Sequence, residues 1–387
     1  MNRLYIFARD NFYHRLMAFI AALLYGFPSR HLTVIGVTGT KGKSTTVELI
    51  AHILESAGKK VAVSSSVRNS ASSGMTMLGC FKLQRLLHDA VVRECEYAVV
   101  EVTSQGVTQS RHRFIKWAVA VFINLTPEHI EAHGGFEKYR AAKVAFFAYA
   151  AKNPHAIFII NKDDKNADAF IRATGDYRKI MFGRAPAPTS LYGSFNEYNV
   201  GAAFAVASAL GIFKDVAERA ILDFKGVYGR MEFIRHLPFT IIVDYAVTPD
   251  SLRAAYAAFT GKRIIAVFGC TGGGRDIGKR RVMGGIAGEA CASVILTDDD
   301  SYDEHTEAIM AEIEHGLIET KDGTWKEGVN YWKIVDRREA IYKALSLAQE
   351  GDVVLITGKG GDKWLRMARG KKIPWSDQEV IRDILSQ

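Results

Sequence analysis

Apolar and β-branched residues run without a break through 32–36 (LTVIG), stop at a turn rich in Gly and Thr, and resume at helical spacing over 45–57. A short apolar run bounded by a turn reads as a buried strand, and apolar positions three and four apart read as the inner face of a helix. The alternation recurs, predicting strands at 60–64, 97–102, 119–124 and 156–161 with helical stretches between them. Parallel neighbours need a crossover, so this succession is how a mainly parallel sheet covered by helices is written. A helix is expected around 199–210, after which 224–229 (FKGVYG) concentrates glycine as a hinge does. Strand-like runs then fall at 240–244, 263–268, 293–297 and 352–357, so a second, Rossmann-like α/β domain is expected. It carries no G-x-G-x-x-G at a first strand–helix turn and is not read as an NAD site. The pattern thus predicts an N-terminal extension at 1–30, a central domain at 31–226 and a C-terminal domain at 227–387, with no internal repeat.

Composition agrees with two cores, since 387 residues at 48% hydrophobic content exceed the roughly 250–300 residues at which one core stops growing. The formal charge of +8 and isoelectric point near 9.1 suit anionic partners, but the basic residues are dispersed, which argues against a nucleic-acid-binding arm. Cys80, Cys95, Cys270 and Cys291 form no CxxC pair, so neither a zinc site nor a disulfide framework is expected, and a reducing cytoplasm fits best. The apolar segment 17–27 follows a few basic residues as a signal peptide does. It is shorter than the roughly 20 residues that span a bilayer and no small-residue cleavage site follows, so a retained amphipathic helix without stable membrane insertion is expected.

The segment Gly36-Val37-Thr38-Gly39-Thr40-Lys41-Gly42-Lys43-Ser44 lies between a predicted strand and a predicted helix. Amides of such a loop surround phosphate oxygens, Lys43 reaches the β/γ-phosphates, and the Ser44 hydroxyl can ligate magnesium, so a nucleoside triphosphate is the natural ligand. Val37 breaks the strict G-x4-G-K-S form. Glu101 ends a predicted strand, where a carboxylate can hold a hard cation that bridges phosphates; alone, it reads equally as a solvated charge. Gly193 to Asn199 is similar to the G-x-F-N-x-x-N segment of Mur ligases, which implies that Asn196 and Asn199 approach the adenine, as an amide's paired donor and acceptor suit; the alternative is that they cap the helix after them.

The T-G-T-x-G-K-S loop resembles that of Mur ligases and folylpolyglutamate synthetases. Glu101-Val102-Thr103-Ser104-Gln105-Gly106 resembles the E-V-S-S-H segment of muramyl tripeptide synthetases, whose glutamate ligates magnesium, and Arg111 matches the arginine that follows it. The stretch from Asn124-Leu125 through Glu128-His129 and His133-Gly134 to Ala141-Ala142-Lys143 is similar to N-L-x-x-D-H-L-x-x-H-G to A-A-K, which implies that His129 binds a second magnesium and that Lys143 is carbamylated. Glu128 stands where the family has aspartate. Gly193 to Asn199, Gly229-Arg230-Met231-Glu232, Asp244-Tyr245-Ala246, Arg275-Asp276 within 269–280, and Gly358-Lys359-Gly360 match later motifs in order; Val247 replaces a family histidine.

The resemblance, running from about 34 to 360, implies a magnesium- and ATP-dependent ligase that adds an amino acid to a muramyl peptide through an acyl phosphate. It implies nucleotide contacts from Gly39, Thr40, Lys41, Gly42, Lys43, Ser44, Thr45, Asn196, Asn199, Arg230 and Asp244. Metal binding falls to Ser44, Glu101, His129 and Lys143, catalysis to Lys43, Glu101, His129 and Lys143, and substrate contact to Ser104, Arg111, Asp299 and Tyr302. It also implies closure of two domains over ATP. About thirty residues precede the loop, so the usual N-terminal domain for the uridine diphosphate end is expected to be missing or supplied by a protein partner. Asp299 to Tyr302 stands where diaminopimelate-adding members carry D-N-P-R, and Tyr302 takes the place of the arginine that pairs with the distal carboxylate, which argues against diaminopimelate. Two other readings stay open: a folylpolyglutamate-type ligase, expected to carry D-G-A where Asp244-Tyr245-Ala246 stands, and a partner-dependent or non-catalytic ATP-binding module.

Overall fold

The computed structural model describes residues 2–69, 75–126, 134–185, 189–274, 277–320 and 323–387, with side chains from residue 12 onward. The chain divides into two compact units, Met1–Lys225 and Gly226–Gln387.

In the first unit six strands, β1 (Thr33–Thr38), β2 (Val61–Ser64), β3 (Tyr97–Glu101), β4 (Trp117–Phe122), β5 (Ile157–Asn161) and β6 (Lys179–Phe182), form a sheet in the order β2-β3-β1-β4-β5-β6. Every pairing is parallel, and β1, β3, β4 and β5 are almost wholly buried, as a sheet covered on both faces requires. β4 starts two residues before the pattern predicts because Trp117 is an inward-facing core residue whose Nε1 donates to the His112 carbonyl at 3.0 Å. A Cβ on Gly36 would stand 2.5 Å from Phe146 Cζ and 2.8 Å from the Trp117 ring, so the glycine in β1 leaves room for that aromatic pair, which packs edge-to-face with centroids 5.1 Å apart. β6 escapes the pattern because it is a short, half-exposed edge strand.

The second unit places β7 (Glu232–Arg235), β8 (Thr240–Asp244), β9 (Ile264–Phe268), β10 (Ser293–Leu296), β11 (Tyr331–Lys333) and β12 (Val353–Thr357) in the order β11-β10-β9-β12-β8-β7. Only β7 is antiparallel to its neighbour. The order reverses between β9 and β12, and each face of the sheet carries its own apolar core. A ribbon of β13 (Trp364–Arg366) and β14 (Lys372–Pro374) follows. β7, β11 and the ribbon lack a continuous apolar run, which is why the pattern omits them.

Of the segment 17–27 expected as an amphipathic helix, residues 17–24 lie in a longer helix, Asn2–Leu24, while 25–27 lie beyond its end and lead through the turn Pro28–Arg30 into β1. Among the described residues, no helix is long and apolar enough to cross a membrane.

Candidate active site

Residues 39–42 join β1 to the helix Lys43–Ser56. Gly42 has φ 78°, and a Cβ there would lie 2.0 Å from Asn199 Oδ1, so both conformation and contact call for glycine. The turn opens a helix N-terminus whose free amides and dipole favour an anion. Gly42→Ala is therefore expected to weaken ATP binding at least tenfold and to cost about 1 kcal/mol or more of stability. Calorimetric titration and thermal melting check this; unchanged affinity would remove the loop shape from the account.

The loop is held from behind by Asn124, just past β4. Its Oδ1 accepts from the amides of Thr40 (3.1 Å) and Lys41 (2.9 Å), and its Nδ2 donates to the Lys41 carbonyl at 3.2 Å. The Thr40 hydroxyl lies 3.0 Å from the Tyr139 hydroxyl and accepts from the Thr126 amide at 3.0 Å. Lys143, on the helix Phe136–Ala150, is 1% exposed; its Nζ donates to the Gly39 carbonyl at 2.7 Å and sits 4.8 Å from the Tyr139 ring centroid. The lysine fourteen residues past His129 thus reaches the phosphate loop itself. His129 lies outside the described residues, as do Glu128, His133, Arg275 and Asp276.

Glu101 closes β3 with 2% exposure, and its Oε2 accepts from Ser44 Oγ at 3.1 Å and from the Ser66 amide at 2.9 Å. Ser44 Oγ and Ser66 Oγ are 2.7 Å apart. Lys43 Nζ donates to the Thr40 carbonyl at 2.8 Å and stands 4.0 Å from Glu101 Oε1. Thus β1, β3 and β4 bring Lys43, Ser44, Glu101 and Asn124 to their carboxyl ends, where open parallel sheets bind ligands. Thr45 is buried in the first turn of the helix. Asn196 and Asn199 both lie inside the helix Phe195–Ala209, so neither is its N-cap. Asn199 Nδ2 donates to Asn196 Oδ1 at 2.8 Å, and Asn199 Oδ1 accepts from Thr46 Oγ1 at 3.3 Å, directly behind the loop. Ser104 is buried at the start of the helix Ser104–Thr108, while the Arg111 guanidinium donates to the Met77 carbonyl and to Gln109 Oε1.

In the second unit, Asp244 ends β8 and its Oδ1 accepts from the Met231 amide at 2.7 Å; the Arg230 guanidinium lies 4.1 Å from the Tyr245 ring centroid. The loop after β10 buries three consecutive carboxylates, Asp298, Asp299 and Asp300. Asp300 takes Lys359 Nζ at 2.7 Å, the Arg366 amide at 2.8 Å and Arg366 Nη1 at 2.7 Å. Asp299 makes no hydrogen bond among the described residues, and burial pushes its pKa up from 3.8 to about 6 despite the nearby Lys359 ammonium. Tyr302 has φ 52° and donates its amide to the Arg366 carbonyl at 3.1 Å.

Since Asp299 holds its proton more tightly folded than unfolded, ionising it opposes folding; the penalty is absent below about pH 4 and complete above about pH 6. Asp299→Asn is expected to raise the melting temperature at pH 8 while leaving it nearly unchanged at pH 4, and to depress turnover. Equal shifts at both pH values would show that the carboxyl carries no ionisation penalty.

Asn124, Tyr139 and Arg366 are among the contributors that the sequence does not mark as site residues. Asn124 begins the N-L segment, and a side chain with both donor and acceptor groups at a strand end is the available signal. Arg366 follows an unpatterned loop, and nothing in the spacing marks its bond to a residue 66 positions earlier.

Fold and site together define a P-loop α/β unit followed by a Rossmann-like unit with a buried acid–base cluster. The Mur ligase middle domain family matches residues 37–188, and the Mur ligase glutamate ligase domain family matches residues 229–360. The chain is 35% identical to the UDP-N-acetylmuramoyl-L-alanyl-D-glutamate--2,6-diaminopimelate ligase of Thermosynechococcus vestitus, over 95% of this chain and 80% of that one. A solved structure of an enzyme of that name is 29% identical, with a TM-score of 0.63 over 92% of this chain and 78% of the other. Mycobacterium tuberculosis folylpolyglutamate synthase shares the fold, at 15% identity and a TM-score of 0.71 over 95% and 94% of the two chains. The chain belongs to the Mur ligase family.

Proposed function

We propose that the protein is an ATP-dependent, ADP-forming carboxylate–amine ligase that adds an amino acid to a muramyl peptide precursor in peptidoglycan synthesis. The observation that carries this reading is the convergence of Lys43, Ser44, Glu101 and Lys143 on one phosphate loop. Ser44 Oγ and Glu101 Oε2, 3.1 Å apart, are hard oxygen donors, which suits a hard divalent cation, and we take this cation to be magnesium. His129 and Lys143, the latter as its carbamate, are assigned to a second ion. Bound magnesium would neutralise charge on the phosphates. The loop amides and Lys43 hold the triphosphate and stabilise charge on the γ-phosphoryl group as it moves. A carboxylate oxygen of the precursor attacks the γ-phosphorus and ADP leaves; the amine then attacks the acyl carbon, the C–O bond breaks, and phosphate departs with the former carboxylate oxygen.

The cluster after β10 is assigned to the incoming amino acid through Asp299 and Tyr302, with Ser104 and Arg111 on the precursor and Asn196, Asn199, Arg230 and Asp244 on the nucleotide. Among the described residues of that cluster, Lys359 and Arg366 both bind Asp300 and Arg337 binds Asp377, so these cations are already engaged. An amino acid without a second carboxylate fits this balance better than diaminopimelate. Precursor labelled with oxygen-18 in its carboxylate tests the pathway: one labelled oxygen is expected in the released phosphate, and unlabelled phosphate would exclude the acyl phosphate.

A further inference from the structure

Over residues 12–24 of the helix Asn2–Leu24 the usual placement of apolar residues is inverted. The small residues Ala18, Ala21 and Ala22 are buried, while Phe12, Tyr13, Leu16, Phe19, Ile20, Leu23 and Leu24 are exposed, from 38% at Ile20 to 70% at Phe12. At 3.6 residues per turn those seven positions fall within an arc of roughly 140°, a continuous apolar face turned to solvent. Arg15 lies at its edge and is exposed.

The same face continues into a concavity of about 320 Å³ lined by Phe27, Arg30, Phe114, Lys116, Tyr149 and Lys152. Phe19 packs edge-to-face on Phe114 with centroids 5.3 Å apart, joining strip and concavity. Arg113 borders it, its guanidinium 5.5 Å from the Tyr149 ring centroid, and Lys152 stands 5.2 Å from the same ring. Arg15, Arg30, Arg113, Lys116 and Lys152 make no ion pair with a carboxylate among the described residues. Arg15, Arg113 and Lys152 all act electrostatically on buried His112, whose pKa is pushed down to about 3 chiefly by burial.

We propose that this face docks the protein on the surface of a bilayer containing anionic phospholipid, the apolar strip entering the acyl boundary and the unpaired cations meeting lipid phosphates. Charge complementarity selects this occupant: an apolar face edged by five uncompensated cations matches an interface that offers hydrocarbon and negative charge side by side. The helix is not long and apolar enough to span, which fits a surface-lying mode.

The test is co-sedimentation of the full chain with vesicles of phosphatidylcholine alone or with phosphatidylglycerol, at low and high salt. Binding that requires phosphatidylglycerol and falls with salt is expected. It should drop at least tenfold in Leu16→Asp/Leu23→Asp and in Arg15→Glu/Lys152→Glu, while ATP-dependent phosphate release and the melting temperature stay unchanged. Absence of binding to anionic vesicles, or equal binding by the variants, would overturn the proposal. So would light scattering that shows a dimer dissolved by Leu16→Asp/Leu23→Asp, which would make the face a contact between copies. Saturable binding of inorganic diphosphate without vesicle binding would overturn it too, as a site for free phosphate.

Discussion

Replacing Lys43 with alanine is expected to lower ATP-dependent phosphate release by about 10²–10³-fold, the scale of losing one preorganised charge from a transition-state site. The fold should survive, because the loop is braced by Asn124 through two amides and a carbonyl, and by Lys143 through the Gly39 carbonyl, rather than by Lys43. Lys43 gives up one bond to the Thr40 carbonyl and a 4.0 Å approach to Glu101, and its side chain is 16% exposed. Turnover measured beside a melting curve separates the two roles. A large fall in melting temperature with a proportionate loss of turnover would mean that Lys43 is structural.

The largest stability effect is expected at Arg337, which with Asp377 forms a bidentate pair at 2.8 Å and 2.8 Å, both side chains fully buried. Arg337 also donates to the Asp298 carbonyl at 3.1 Å and the Thr357 carbonyl at 2.9 Å, tying together the ends of β10 and β12. Removing one partner of a buried pair leaves the other charge uncompensated, so Arg337→Ala is expected to cost about 3–5 kcal/mol. The double variant Arg337→Ala/Asp377→Ala should lose less than the sum of the single variants, since it strands no carboxylate. Urea denaturation of the four proteins reads this; strict additivity would show that the pair is uncoupled. The loops carrying Asp299 and Lys359 leave the strand ends that Arg337 joins, so turnover should fall in the single variant even where it remains folded.

The buried parallel strands were legible because each is an apolar run bounded by turn residues, and the pattern located β1, β8 and β12 to within two residues. Edge strands such as β6 and β11 were not, because an exposed face needs no apolar code. The loop after β1 could be read from sequence since its pattern is local: glycine, lysine and serine lie within nine residues of one another. The bracket behind it could not, because Asn124 and Lys143 meet the loop across separations of 83 and 104 positions that only the sheet order brings together. The carboxylate cluster was legible as residues but not as a balance of charge. Asp299 and Asp300 are alike and adjacent in sequence, and only the fold brings Lys359 and Arg366 to Asp300.

The account rests most directly on phosphate release from ATP and magnesium by the purified chain, screened over muramyl peptides with and without a uridine diphosphate group and a panel of amino acids, with Lys143→Ala as control. Release that requires both a peptide acid and an amine, and that disappears in the control, is the predicted result. Nucleotide binding with no acceptor pair able to raise phosphate release above background would contradict it.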